Sequence, residues 1–146
     1  MLIRNASDLN KSHCNRFNGM LKQLQRHSVT TGIHSKDNKR YPDSNVTTAE
    51  VGSYQEFGTS KLPPRMWLRI FKFVTKYKRE LSSIIATAFN ENKNANGVLT
   101  DIGGYQKERI KERILDDTVR PKSNNVTGTT LVDTGQLVKS IDYEVH

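Results

Sequence analysis

The stretch "EFGTSKLPPRMWLR", from Glu56 to Arg69, is the strongest local signal in this sequence. Gly58 stands where a helix commonly ends, because glycine adopts the closing backbone conformation at little cost. Pro63 and Pro64 each fix φ and lack an N–H group, so the chain must extend there. Pro64 also suits the first turn of a new helix, where no N–H is missed. The stretch therefore predicts a stiff joint between two helices.

A short helix is predicted before the joint and a long helix after it. Thr47 and Glu50 have the spacing of a capping box, which indicates a helix that begins there and ends near Gly58. From Pro64 to about Asn90 the apolar residues fall within one broad arc of a helix. They are Trp67, Ile70, Phe71, Val74, Tyr77, Leu81, Ile84, Ile85 and Ala88. This pattern predicts one long amphipathic helix.

The predicted long helix carries cations on the face opposite its apolar arc. They lie four, three, four and three residues apart: Arg65, Arg69, Lys72, Lys76 and Arg79. Like charges at this spacing repel by about 0.2–0.5 kcal/mol a pair on an exposed helix. Two interpretations stay open, a solvated face that keeps the protein soluble or a stripe that faces an acidic partner or DNA. Because no aromatic residue is interleaved on this face, a nucleic-acid contact would be to phosphate and independent of sequence.

Periodicity predicts further elements on both sides of this pair of helices. Apolar residues at helical spacing indicate a helix from about Ser7 to His27 and another from about Gly104 to Asp117. Alternation in "SVTTGIHS", residues 28–35, with Val29, Thr31 and Ile33 on one side, indicates a strand. Alternation through Ile141, Tyr143 and Val145 indicates another, with about one helical turn before it.

These elements predict the fold class and the domain organisation. Residues 1–146 are expected to form a single α+β domain, with one long amphipathic helix and two shorter helices on a small, mainly antiparallel sheet. Two polar stretches, 35–46 and 119–130, are predicted to be mobile loops.

Composition limits the classes of function. A hydrophobic content of 34% and a mean hydropathy of −0.69 allow a modest core, and the net charge of +8 favours acidic partners. Cys14 is the single cysteine, so no internal disulfide forms and a reducing compartment is expected. No run approaches the roughly 20 apolar residues that cross a membrane. The N-terminal residues also lack the apolar segment of a signal peptide. We therefore expect a protein that is assembled inside a cell and does not contact a membrane.

Residue patterns that indicate catalysis or metal binding are sparse. The four histidines are scattered, and no cysteine or carboxylate lies at metal-ligand spacing beside them. The sequence holds neither a phosphate-binding glycine loop nor a GxSxG motif. We therefore predict no catalytic residue, no cofactor and no metal site.

One motif requires comparison with an enzyme. "LVDTG", from Leu131 to Gly135, matches the Asp-Thr-Gly of aspartic proteases, in which two aspartates share a proton. Gln136 follows where those enzymes have Ala or Ser, and only eleven residues follow Gly135, too few for the rest of that fold. We interpret Asp133 and Thr134 as caps of the short turn that follows, with the protease as an alternative.

Two motifs in sequence order resemble a family of bacteriophage proteins. The first combines a Glu-Phe-Gly-Thr turn with a Pro-x-Arg that begins a long helix, matched here by Glu56, Phe57, Gly58, Thr59, Pro63 and Arg65. The second is a closing motif, matched by Leu131, Asp133, Thr134, Gly135, Leu137, Ser140 and Ile141. With these motifs the chain resembles, over nearly its whole length, the tail-completion or neck proteins of long-tailed phages.

The resemblance implies a structural virion protein without catalytic activity. Such proteins lie at the junction of head and tail and join or complete the tail, as a ring of about six copies. The implied partners are copies of the chain, neighbouring head-connector, tail-terminator or tail-tube proteins, and non-specifically contacted DNA in the channel. Assembly would take place in the host cytoplasm. The main alternative is a small basic protein that binds nucleic acid without sequence preference.

The resemblance also suggests what the joint does. It would be a subunit-interface turn formed by Glu56, Phe57, Gly58, Thr59, Pro63, Pro64 and Arg65. We expect Arg65 to form an ion pair with Glu56 across this turn. The closing motif of Leu131, Asp133, Thr134, Gly135 and Leu137 would be structural.

Overall fold

The computed structural model describes residues 6–42, 44–61, 63–69, 75–115 and 135–146. Several predictions fall outside these ranges, and nothing further is said of their structure. They concern Lys72 of the basic stripe, Leu131, Asp133 and Thr134 of the closing motif, and the loop 119–130.

The described residues form five helices and one two-stranded antiparallel sheet. The helices are α1 (Ala6–Leu24), α2 (Thr48–Phe57), α3 (Thr75–Asn90), α4 (Ala95–Leu115) and α5 (Gln136–Lys139). The strands are β1 (Val29–Ile33) and β2 (Ile141–Val145). In the sheet, Val29 lies opposite Val145 and Ile33 opposite Ile141. This arrangement confirms the predicted small α+β domain with an antiparallel sheet.

Helix α4 packs closely against the sheet because it carries a buried glycine. A Cβ atom at Gly103 would lie 2.4 Å from Cδ2 of Tyr143 and 2.9 Å from Cγ2 of Val29, nearer than real side chains approach. In the same interface the Thr31 hydroxyl donates to Oε1 of Gln106 at 2.9 Å. The helix therefore contacts both strands at a distance that only glycine permits.

Buried apolar side chains form two clusters that share α4. The first cluster contains Trp67, Ile110, Ile114, Leu137 and Ile141, with Ile33 and Val138 packed against it. The second cluster contains Met20, Ala88 and Val98, with Leu24, Ile85, Phe89 and Ile102 packed against it. The first cluster joins the residues after the prolines to α4, α5 and β2, whereas the second joins α1 and α3 to α4.

Helix α2 begins and ends as the sequence predicts. The Thr47 hydroxyl accepts from the N–H of Glu50 at 3.3 Å, and the Glu50 carboxylate accepts from the N–H of Thr47 at 2.7 Å. At the other end Gly58 has a φ of 77°, and its N–H donates to the carbonyl of Tyr54 at 2.9 Å. This positive φ is one that glycine adopts with little strain.

The long helix predicted from Pro64 to Asn90 does not begin at Pro64. Residues 63–69 are not helical, and the described helix α3 begins at Thr75. The tertiary structure holds this segment otherwise, because Trp67 is buried in the first cluster and Glu56 binds the backbone beyond the prolines. The apolar residues that share one predicted helical face therefore belong to two different segments, the non-helical residues 63–69 and helix α3.

Helix α4 begins nine residues before the predicted Gly104, at Ala95. Asn94 caps this helix, since its side chain accepts from the N–H of Gly97 at 2.8 Å. With 21 residues, α4 is the longest helix of the described ranges.

The predicted loop 35–46 contains no helix or strand in its described part, apart from an isolated bridge between Arg40 and Thr47. One hydrogen bond closes this loop on itself, and a second attaches it to the start of α2. The N–H of Tyr41 donates to the carbonyl of Val46 at 3.0 Å, and the N–H of Thr48 donates to the carbonyl of Lys39 at 2.8 Å. Its mobility stays a prediction.

Candidate assembly surface at the joint

A buried carboxylate holds the two sides of the joint together. Glu56, in the last turn of α2, is only 2% exposed. Its Oε2 accepts from the N–H groups of Trp67 at 2.7 Å and Leu68 at 2.8 Å. Its Oε1 accepts from Nε of Arg69 at 2.7 Å and from the N–H of Arg69 at 3.2 Å. One side chain thus fixes three consecutive residues beyond the prolines against α2.

The hydrogen bonds determine the charge of this carboxylate. Burial raises the pKa of Glu56, but the N–H of Leu68, the Arg69 side chain and the N–H groups of Trp67 and Arg69 together lower it by more. The net effect is a pKa below the usual value of a glutamate. Glu56 is therefore ionised at neutral pH, and its charge is matched by the guanidinium of Arg69.

Backbone contacts reinforce the joint. The N–H of Arg65 donates to the carbonyl of Gln55 at 2.6 Å. The indole N–H of Trp67 donates to the carbonyl of Gly52 at 3.1 Å, and a Cβ at Gly52 would lie 3.1 Å from Cζ2 of Trp67. Glycine at this position therefore lets the indole pack directly on α2.

The predicted ion pair has a different cation. The structure pairs Glu56 with Arg69, whereas Arg65 is buried at 7% exposure and binds α2 through its backbone. The sequence predicted both arginines on one helical face. Residues 63–69 are not helical, and this backbone conformation brings the Arg69 side chain to the Glu56 carboxylate. No spacing rule in the sequence distinguishes the two arginines.

Apolar side chains lie exposed around this fixed backbone. We call Tyr54, Phe57, Met66 and Leu68 the joint patch, and all four are exposed, Phe57 the most at 63%. The Arg69 guanidinium carbon lies 4.8 Å from the centre of the Phe57 ring. Beside the patch, an apolar groove of about 200 Å³ opens between β1, α2 and the residues after the prolines. Of the predicted interface turn, Phe57 is thus a main exposed member, while Tyr54, Met66 and Leu68 were not predicted.

The predicted basic stripe is not one helical face. Arg65 and Arg69 lie in the non-helical joint, and of the predicted cations only Lys76 and Arg79 belong to α3 as described. Nζ of Lys76 lies 3.8 Å from a carboxylate oxygen of Glu80, one helical turn away. That Lys76 and Arg79 contact DNA or an acidic partner stays a prediction. It now concerns fewer cations than the five of the predicted stripe.

The described part of the closing motif is structural. Gly135 precedes α5 with a φ of 66°, a left-handed conformation that favours glycine. Leu137 is buried in the first cluster, and the Ser140 hydroxyl donates to its carbonyl at 2.7 Å. The capping role predicted for Asp133 and Thr134 lies outside the described residues.

The described ranges contain neither a metal-binding cluster nor a helix that could cross a membrane. In residues 6–42, 44–61, 63–69, 75–115 and 135–146, no group of three or more His, Cys, Asp or Glu side chains is arranged to hold a metal ion. None of the helices in these ranges has the length and apolar character needed to cross a membrane.

Fold and surface together define a small α+β domain whose fixed joint displays apolar side chains. Comparison of the chain with known protein families, with curated proteins and with solved structures finds no match.

Proposed function

We propose that the chain is a non-catalytic structural subunit of a bacteriophage virion. It forms a ring at the junction of head and tail and helps to join or complete the tail. The observation that carries this proposal is the joint, in which the buried Glu56 fixes the segment that displays Met66 and Leu68. The two phage-like motifs of the sequence support the same function.

A fixed and apolar surface suits permanent assembly. Exposed apolar side chains that lie together commonly mark a protein interface. Because Glu56 already holds the backbone of Trp67, Leu68 and Arg69, a partner that binds there orders little additional chain. Preorganisation of this kind raises affinity by reducing the entropy lost on binding.

Ring symmetry requires two different surfaces on each copy. In a closed ring the contacts are heterologous, so one patch of a subunit meets a different patch of the next. In this proposal the joint patch is one such surface, facing a neighbouring copy or an adjacent protein of the junction. The chain then needs no catalytic site, and its function depends on shape and on apolar contact.

The proposal predicts a specific assembly defect. Infections that lack this chain should produce heads and tails that remain separate in electron micrographs. When the chain is supplied in trans, Met66→Lys should reduce joined particles roughly tenfold or more. Placing an unpaired charge in an apolar contact costs more than the ~1.4 kcal/mol that corresponds to a tenfold change.

A matched control separates assembly from general surface effects. Leu115 is exposed at 54%, similar to Met66 at 48%, but lies at the end of α4 outside the joint patch. Leu115→Lys should therefore join heads to tails as well as the unchanged chain does. Joined, infectious particles in the complete absence of the chain would refute the proposed function.

A further inference from the structure

Helix α1 is attached to the domain through its second half. Met20 is buried in the second cluster, the Phe17 ring meets the Phe89 ring edge-on at 5.5 Å, and Arg16 donates to the carbonyl of Phe89 at 2.8 Å. Arg16 also donates to the Asn92 side chain, at the turn between α3 and α4. Residues 6–15 precede all of these contacts and extend the helix by about 15 Å. We call residues 6–15 the arm.

Leu9 continues the apolar face of the helix into the arm, and described residues leave its side chain exposed. At 100° per residue, Leu9 lies within about 20° of Met20 around the helix axis. Yet Leu9 is 43% exposed, whereas Met20 is 6% exposed. Residues 8–19 are all exposed. Because short helices are marginal in water without packing, the arm is expected to be stabilised by a partner.

The chain itself offers a surface that suits the arm. An open groove of about 370 Å³ lies between α1 and α3, with apolar walls from Phe17, Ile85, Ala86 and Phe89. Ser82 and Asn90 also line the groove, and none of its described lining residues is charged. Copies of a chain with a net charge of +8 repel one another, and contact is therefore favoured at surfaces free of charge.

We propose that the arm of one copy packs into the α1–α3 groove of the next copy. Each copy then donates one arm and accepts one, which gives the head-to-tail contact that a ring requires. This inference deepens the proposed function and rests on it for the ring. Pairing of arm and groove between purified copies depends only on the two surfaces.

The size of the contact predicts weak pairing in solution. An arm of ten residues buries less than the roughly 800 Å² per partner of a standard stable interface. We therefore expect a dissociation constant between about 10 μM and 1 mM for a single contact. In a closed ring every copy would make two such contacts, and the assembly would be stable although one contact is weak.

Cross-linking between two populations of the full-length chain tests the pairing directly. The first population carries Cys14→Ser with His13→Cys, because position 13 is exposed and lies about 40° from Leu9 around the helix axis, whereas position 14 lies about 140° from it. The second carries Cys14→Ser with Ala86→Cys in the groove and a tag that increases its mass. Mild oxidation at about 1 mM protein, near the weak end of the expected affinity, should give a disulfide-linked mixed dimer on a non-reducing gel. Such a product can form only between copies.

A thiol on another surface provides the control. Glu108 is exposed on α4. A population with Cys14→Ser and Glu108→Cys should give at least about tenfold less mixed dimer, because the proposed contact does not hold its thiol near the arm. A tenfold difference in yield corresponds to ~1.4 kcal/mol. Equal yields from the Ala86→Cys and Glu108→Cys populations would overturn the inference.

Substitutions in the arm give an independent measurement. Leu9→Asp should raise the dissociation constant of self-association in sedimentation experiments by about tenfold or more. Asn10→Asp adds the same charge one residue away and should change it by less than about threefold. Equal sedimentation of the unchanged chain and the Leu9→Asp variant at all concentrations would also overturn the inference. Arm pairing by a chain that is absent from virions would instead refute only the proposed function.

Discussion

Replacement of Glu56 by glutamine is expected to lower the free energy of unfolding by about 1–3 kcal/mol at neutral pH, the cost of leaving buried donors unsatisfied. The carboxylate is buried and accepts from Trp67, Leu68 and Arg69, whereas glutamine would place an NH₂ group against one set of these donors. It would also leave the Arg69 guanidinium without its anion. Urea denaturation measures the effect. Glu108→Gln, at an exposed glutamate of α4, should change the same quantity by less than about 0.5 kcal/mol.

The effect of Glu56→Gln should depend on pH with a defined sign. The pKa of Glu56 is lower in the folded than in the unfolded chain, where glutamate titrates near about 4.3. Its contribution to stability is therefore complete above that value and is lost as the pH falls through the lower, folded value. The difference between the unchanged chain and the variant should be constant from pH 7 to about pH 5 and shrink in stronger acid. A difference that grows on acidification, or a loss below about 1 kcal/mol at pH 7, would contradict the structure of the joint.

The second large effect is expected at the contact of α4 with the sheet. Gly103→Ala should lower the free energy of unfolding by about 1–3 kcal/mol, although alanine favours a helix by about 1 kcal/mol over glycine. The added Cβ would lie 2.7 Å from Cγ of Tyr143 and 2.9 Å from Cγ2 of Val29, so the helix or the strands must move. Thermal or urea unfolding measures the change.

The neighbouring glycine supplies a control in the same helix. A Cβ at Gly104 meets no atom within 4 Å, and the position belongs to the interior of α4. Gly104→Ala should therefore stabilise the protein by about 0.5–1 kcal/mol. Stabilisation by both substitutions would show that α4 does not approach the sheet as described.

The sequence predicted those elements whose signals are local. Thr47 and Glu50 form a capping box that needs no other part of the chain, and Gly58 ends the same helix through its own backbone freedom. The alternation through Ile141, Tyr143 and Val145 likewise predicted β2, because one face of that strand packs on α4.

The errors arose where a distant contact competes with a local pattern. Trp67 fits the periodicity of the following helix, but its burial with Ile110 and Ile114 and the hydrogen bond to Glu56 hold it in a different segment. The predicted start of the long helix and the predicted basic stripe both depended on that periodicity.

The sequence indicated the joint that carries the candidate site, but it did not indicate the contacts that form the joint. The proline joint and its aromatic neighbour Phe57 were recognised from residue types. The choice of Arg69 over Arg65 and the exposure of Met66 depend on how residues 63–69 turn after the prolines. That path is determined by tertiary hydrogen bonds to Glu56, for which the sequence contains no spacing signal.

The most direct test of the account is an image of the assembled phage particle at a resolution that traces this chain. The account predicts a ring of copies between the head connector and the tail, in which Tyr54, Phe57, Met66 and Leu68 of each copy contact a neighbouring subunit. Mature particles without the chain, or particles in which these four side chains face solvent, would contradict it.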